Sequence, residues 1–278
     1  MLIVLMAYPA PAEVLSGTII VFNFTKDEVV VAADSLAGNN DTGIPDYSHC
    51  KIAVLSHQLI FTTVGNSGWS NYTGQGIVQA WDNMELARSA IHSNQNRDCC
   101  VDVDSIAAQW ANDVKAHWDL VNQLDRQRAI SIASANNGQF TAGVFIGKGL
   151  TMKVAVIGYN VNNPLDPVEI KMGDGDAIAD CWHCGQLQGG KICGAGHHLD
   201  IAARFCSDRK HGDRIDVRTP LKGASESTKL AVKIVEMTID RYEKAAHDVG
   251  GKVDSITITQ GGKITWNSRK KNCPDNQN

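Results

Sequence analysis

The 278-residue chain has no long hydrophobic run, no surplus of one charge and no internal repeat, and each absence excludes something. Its opening apolar stretch, Met1-Leu2-Ile3-Val4-Leu5-Met6, is far too short to span a bilayer, and no other segment reads as transmembrane. With 26 basic and 30 acidic residues spread along its length, it carries a net charge of −4. That balance leaves no electrostatic footprint for nucleic acid or for an anionic membrane. No low-complexity tract interrupts the pattern. What remains is ordinary globular composition, 43% apolar and 20% charged, in a chain long enough for a large core.

Cysteine, by contrast, is plentiful. Eight residues (Cys50, Cys99, Cys100, Cys181, Cys184, Cys193, Cys206 and Cys273) exceed what a cytosolic protein of this size carries. Several would pair in an exported protein, although spacing does not give the connectivity. The N-terminus bears on that question. Ala10-Pro11-Ala12 resembles the small-residue end of a signal peptide, but the basic start of such a segment is missing. Residues 1–17 therefore read as the remnant of a signal peptide, as a propeptide, or as both. The first predicts export to the periplasm or beyond, and the alternative leaves the chain in the cytoplasm. Cys181-Trp182-His183-Cys184, with Cys193 and His197 nearby, has C-x-x-C spacing that fits a disulfide, free thiols or a structural zinc site.

The hydrophobic period changes twice along the chain. Gly17 to Phe24 and Glu28 to Ala33 are β-branched runs joined by the turn Thr25-Lys26-Asp27, and Lys51 to Leu55 and Gln58 to Val64 repeat the pattern around Ser56-His57. Gly76 to Ile91 then puts Ile77, Trp81, Met84 and Ala87 at helical spacing. Asp104 to Leu124 does the same with Ile106, Trp110, Val114, Trp118 and Val121, and Asp104 or Ser105 is its expected cap. Strands return over Ala142 to Ile146, Met152 to Tyr159, Val168 to Met172 and Lys191 to Cys193. Ala202 to Cys206 reads as a short helix, and Ser227 to Lys244 as a longer one with Leu230, Ile234, Met237 and Arg241 along its stripe. Ser255 to Thr259 and Lys263 to Trp266 form a closing hairpin. This order predicts an α+β fold of two antiparallel sheets packed together with helices outside. It forms one domain over residues 18–267, and residues 268–278 read as a loose polar tail.

One junction carries the chemistry. Gly17-Thr18 leads directly into a strand, and a hairpin returns Asp34 beside it. Cleavage after Gly17 would give Thr18 a hydroxyl nucleophile together with a free α-amine as its own base. Such an amine has a reference pKa of about 7.7–8.0, so a useful fraction is neutral near pH 7.

Gly17-Thr18, Ala32-Ala33-Asp34-Ser35, Cys50-Lys51-Ile52 and Thr62-Thr63-Val64-Gly65 together resemble the proteasome β-subunit family of N-terminal-nucleophile (Ntn) hydrolases. The resemblance runs from about Gly17 to Gly65. Lys51 falls one residue late, and the loop Gly38 to Tyr47 absorbs the shift. The family's fold is a four-layer αββα sandwich, which the later element order fits. The resemblance implies a threonine-type peptidase or amidase, autoprocessed at Gly17–Thr18, that needs no cofactor or metal and assembles into a homo-oligomeric ring. In it, Thr18 attacks the amide carbonyl of a peptide or amide substrate. Lys51 keeps the α-amine neutral by like-charge repulsion, Asp34 holds Lys51, and the Gly65 N–H donates to the oxyanion. Thr63 would line the substrate pocket.

Two positions depart from the family pattern. Ala195, in Gly194-Ala195-Gly196, stands where the family has a supporting serine, and Val249 replaces another before Gly250-Gly251. His197 or His198 follows the first turn and could stand in for it, although a structural histidine is the simpler reading. Asp248 does not match the family's aspartate, which lies farther upstream. An inactive scaffold of the same fold, or a hydrolase of small amides, is therefore the alternative.

Overall fold

Runs of β-branched residues with both faces apolar build the two central sheets. The computed structural model describes residues 13–16, 18–39, 45–47, 49–70, 72–73, 77–78, 80–94, 102–135, 138–159, 168–174, 183–187, 190–196, 224–246, 249–271 and 273. Six antiparallel strands lie in the order β15 (His183–Leu187), β16 (Gly190–Gly196), β2 (Ile19–Thr25), β3 (Glu28–Ala33), β17 (Asp254–Thr259) and β18 (Ile264–Ser268). Five more lie in the order β14 (Glu169–Asp174), β13 (Met152–Gly158), β12 (Gln139–Gly147), β7 (Leu59–Gly65) and β6 (Ile52–Ser56).

The sheets pack face to face. Ile20 and Phe22 of β2 and Val29 and Val31 of β3 meet Ile60 of β7 and Val144 and Ile146 of β12. The alternate residues, Ile19, Val21, Val30 and Ala32, point the other way, under the helix α4 (Ala224–Ala246). The outer face of the five-stranded sheet is covered by α1 (Asn83–Asn94), α2 (Val103–Leu124) and α3 (Arg126–Ala135). A strand buried on both sides reads as a continuous apolar run, which is what Ile19 to Phe22 and Val29 to Ala33 are. Packing against α2 is close. A Cβ at Gly143 would lie 2.5 Å from the Trp110 ring, so glycine is what lets the indole lie flush on β12.

Several helix limits differ from the sequence reading. α1 begins at Asn83, not at residue 76, because Asp82 caps it by accepting from the amides of Met84 (2.7 Å) and Glu85 (3.1 Å). The α2 cap is Asp102, whose carboxylate accepts from Asp104 N at 3.1 Å. α3 was not expected. Asp125 ends α2 and starts α3 by accepting from Arg128 N at 3.0 Å. The buried stripe of α4 runs through Ala231, Ile234, Val235, Thr238 and Ile239, leaving Arg241 exposed. The short helix expected at 202–206 lies outside the described residues.

Two further features frame the site. A small antiparallel sheet runs in the order β11 (Trp81–Asp82), β8 (Gly68–Ser70), β1 (Glu13–Ser16), β4 (Ala37–Asn39) and β5 (Pro45–Asp46), and β9 (Tyr72–Thr73) pairs with β10 (Ile77–Val78) beside it. β1 is therefore gripped on both edges, Leu15 pairing with Asn39 on one side and with Gly68 on the other.

The described residues after β18, 269–271 and 273, are also tied down, where a loose tail over 268–278 was expected from sequence. Cys273 is bonded to Cys50 with Cα atoms 5.6 Å apart, and Lys270 Nζ donates to His49 O. Lys270 N donates to Asp254 at 2.9 Å. Among the described residues, no helix is long and apolar enough to cross a membrane.

Candidate active site

Thr18, Asp34 and Lys51 sit at three strand ends that the hairpin geometry brings together. Thr18 precedes β2, Asp34 follows β3 and Lys51 precedes β6. The β2–β3 hairpin sets Asp34 opposite Ile19. Asp34 N donates to Ile19 O at 3.2 Å, and Ile19 N donates back to Asp34 Oδ1 at 2.8 Å. Lys51 Nζ reaches the same Oδ1 at 2.7 Å and donates to Leu36 O at 2.5 Å. One carboxylate oxygen thus joins the lysine ammonium to the amide one bond away from Thr18. The ammonium can lie no farther from Ile19 N than those two hydrogen bonds laid end to end.

All three side chains are withdrawn from solvent, at 2%, 0% and 1% exposure for Thr18, Asp34 and Lys51. Burial pushes the Asp34 carboxyl up from the ordinary carboxylate range, while the Lys51 ammonium and the amides of Ile19 and Gly250 pull against it. The second oxygen, Oδ2, accepts from Gly250 N at 3.1 Å, and Gly250 O accepts from both Ser35 N and Leu36 N. Taking an ion pair out of water costs several kcal/mol per ion, so its place here is poorly explained by stability alone. The Lys51 backbone is held as well, by Thr62 Oγ1 donating to its carbonyl at 2.6 Å.

Gly65 closes β7 with φ of +87°, and a Cβ there would stand 2.7 Å from Phe140 O. Only glycine fits that combination. Thr63 lies beneath it, at 1% exposure, with its hydroxyl 3.2 Å from Thr141 Oγ1 and 3.5 Å from Asn83 Nδ2. It belongs to a buried polar network, and its hydroxyl is engaged there. The sequence reading missed that network's other members. Asn83 Nδ2 donates to Asn66 O at 2.7 Å and to Thr141 Oγ1 at 3.1 Å, and Trp110 Nε1 donates to Asn83 O at 3.0 Å. An asparagine one place after a capping aspartate was the available signal, but the partners of that amide come from β7 and β12, far away in sequence.

The two departures can be placed in part. Val249 is fully buried among Ile19, Leu230 and Ile234 in the layer under α4, and offers no hydroxyl to the site. Ala195 pairs with Ile20 across β16 and β2. Gly250 and Gly251 have a positive role: Gly250 clamps residues 34–36, and Gly251, at φ +77°, would bring a Cβ within 2.4 Å of Ser35 Oγ. Gly17, His197, His198 and Asp248 lie outside the described residues. Among the described residues, no group of three His, Cys, Asp or Glu is disposed to hold a metal. Cys193 is disulfide-bonded, which removes it from the zinc set considered from sequence.

Compared with known protein families and with curated proteins, the chain matches none. Chemically, the arrangement sets a fixed positive charge two hydrogen bonds from the amide that follows a buried threonine.

Proposed function

We propose that the chain is an Ntn hydrolase: a threonine-type peptidase or amidase released by cleavage between Gly17 and Thr18. The observation that carries this reading is the single oxygen, Asp34 Oδ1, shared by Lys51 Nζ and Ile19 N. It ties an ammonium to the first peptide after Thr18, which is where an N-terminal nucleophile needs one. The layer order, with α1–α3, two antiparallel sheets and α4, supports the same fold.

In this mechanism the released Thr18 α-amine takes the hydroxyl proton while Oγ attacks the substrate carbonyl. The Lys51 ammonium disfavours a protonated amine next to it. Asp34 holds the ammonium in place, and the Gly65 N–H receives the developing oxyanion, a contact worth roughly 10²–10³ in rate. The amine then protonates the leaving group, and water releases the acyl group from Oγ.

The strand β1 supports a peptide as substrate. Its extended backbone, ahead of Thr18, is held between β4 and β8, and a peptide added between the same edges would end at the nucleophile. Export fits the disulfides at Cys50–Cys273 and Cys193, which persist in oxidising compartments. A homo-oligomeric ring is the assembly that the resemblance implies. Intact mass tests the core of the reading. The mature chain begins at Thr18 and turns over a fluorogenic peptide amide, and Thr18→Ala abolishes both; a wild-type chain that retains its leader and lacks turnover refutes it.

The second reading is a catalytically inactive scaffold of the same fold. Ala195 and Val249, two side chains without the hydroxyls that would orient the amine, favour it. A mature chain that begins at Glu13 or earlier would establish it.

A further inference from the structure

The pairing of β7 with β12 turns the Gly65 N–H away from β12, and a side chain outside the predicted site adds a second hold on that peptide. β12 and β7 pair so that Thr141 stands opposite Gly65. The Thr141 hydroxyl donates to Val64 O at 3.0 Å. That carbonyl and the Gly65 N–H belong to one peptide unit. There are no cis peptide bonds among the described residues, and a planar trans unit points its N–H opposite to its C=O. Holding Val64 O therefore reinforces the pairing that turns the Gly65 N–H away from β12. The next amide, Asn66 N, goes to Phe140 O on β12 at 2.9 Å, which fits the alternation of an antiparallel pair. On the far side of β7, β6 starts only at Ile52, paired with Thr62, so β7 runs on past it.

The hydroxyl has little freedom to do anything else. A threonine O–H has one proton to donate and two lone pairs to accept with. Asn83 Nδ2 supplies one donor at 3.1 Å, and the Thr63 hydroxyl lies 3.2 Å away, where either hydroxyl can donate to the other. When Thr141 gives its proton to Val64 O, the Thr63 hydroxyl donates to Thr141 and the full capacity of the group is used. Asn83 is itself fixed by its second hydrogen bond, to Asn66 O, and by 0% exposure. A hydrogen bond accepted at the carbonyl also polarises the amide and strengthens its N–H as a donor.

We propose that Thr141 is a positioning residue for the oxyanion donor, its hydroxyl fixing the Val64–Gly65 peptide plane and hence the aim of the Gly65 N–H. This inference rests on the hydrolase reading. Thr141 touches no reacting atom. Its effect falls on the transition state, where the oxyanion forms, and leaves ground-state binding alone.

The test compares wild type, Thr141→Val and Thr141→Ser, followed by intact mass for leader loss and by turnover of a peptide aminomethylcoumarin amide per processed chain. Thr141→Val keeps the shape and removes the hydroxyl. It is expected to lower kcat about tenfold or more, with KM held within about twofold. Thr141→Ser restores the hydroxyl and is expected to keep kcat within about twofold of wild type. An unchanged kcat in folded Thr141→Val overturns the inference, as does an equal loss in Thr141→Ser, or a rise in KM matching the fall in kcat. If Thr141→Val does not fold, Asn83→Leu decides on the same two constants, because it leaves the hydroxyl and removes the amide that donates to it. A wild-type chain without cleavage or turnover overturns this inference together with the hydrolase reading, whereas an active wild type with an unaffected variant overturns this inference alone.

Discussion

Lys51 and Lys153 are both held between two oxygens, one in the core and one at the surface. Lys153 Nζ lies 2.6 Å from Asp104 and 2.5 Å from Asp174, carboxylates that are 63% and 72% exposed. Those two hydrogen bonds push its pKa up, yet water and salt screen the trio, and such pairs add little that can be measured. Lys51 and Asp34 are 1% and 0% exposed, with no solvent to share the field. An apolar pair of the same volume would usually serve the fold as well or better. A charge kept in the core, two hydrogen bonds from the amide that follows Thr18, is what the hydrolase proposal calls for and what support alone does not.

The sharpest way to break that comparison is to strand one partner. Lys51→Met leaves Asp34 buried and unpaired, and is expected to lose about 3–5 kcal/mol in urea unfolding, along with leader cleavage. Asp34→Asn combined with Lys51→Met restores most of that stability while turnover stays absent. If the double variant stayed active, the pair would be only structural.

The disulfide beside Lys51 comes next. Cys50→Ser with Cys273→Ser opens a link spanning 223 residues and is expected to lower stability by about 2–5 kcal/mol, read by thermal unfolding under oxidising conditions.

His49 gives a smaller, pH-dependent effect. Burial pushes its pKa down from 6.5, opposed by Asp82 and assisted by Lys51. The unfolded chain therefore takes up this proton at a higher pH than the folded chain does. Its contribution is complete above pH 6.5 and is lost as pH falls from there through the folded value. His49→Gln should flatten that part of the stability profile, read by urea unfolding between pH 7 and pH 5, and by less than the disulfide variant loses. The smallest effect belongs to the surface lysine: Lys153→Ala should leave the unfolding midpoint and the turnover unchanged.

How much of this was legible in the sequence differs by element. The strands of the two central sheets were, β15 apart, because residues such as Val29 to Ala33 are buried on both faces and few other structures tolerate that run; the short strands of the small sheets, β1, β4, β5 and β8–β11, were not. The start of α1 was misread because Ile77 and Trp81 fall at helical spacing with Met84, although Trp81 pairs as a strand with Trp69 and stacks on its ring at 5.7 Å. Arg241 was placed on the α4 stripe by spacing alone, which does not register that the stripe is rotated toward Val235 and Ile239. Asp34 was legible because the hairpin fixes it opposite the start of β2, whereas Lys51, which precedes a strand of the other sheet, was reached through the resemblance. Thr141 and Asn83 were not, since their partners are set by the register of β12 on β7 and by how α1 crosses that sheet. The anchorage of Cys273 was hidden for the same reason: nothing near it in sequence names Cys50.

The clamp from Gly250 onto residues 34–36 has a consequence for biosynthesis. A nascent chain that has emerged only through α4 already has Thr18, Asp34 and Lys51 but lacks the amide that holds Asp34 Oδ2, the strand β17 that pairs with β3, and the thiol that bonds Cys50. The surroundings of Asp34 are thus completed by a residue 216 positions downstream. On the hydrolase proposal, competence would wait until Gly250 has been made, and a product cut short before it would be missing the clamp on residues 34–36.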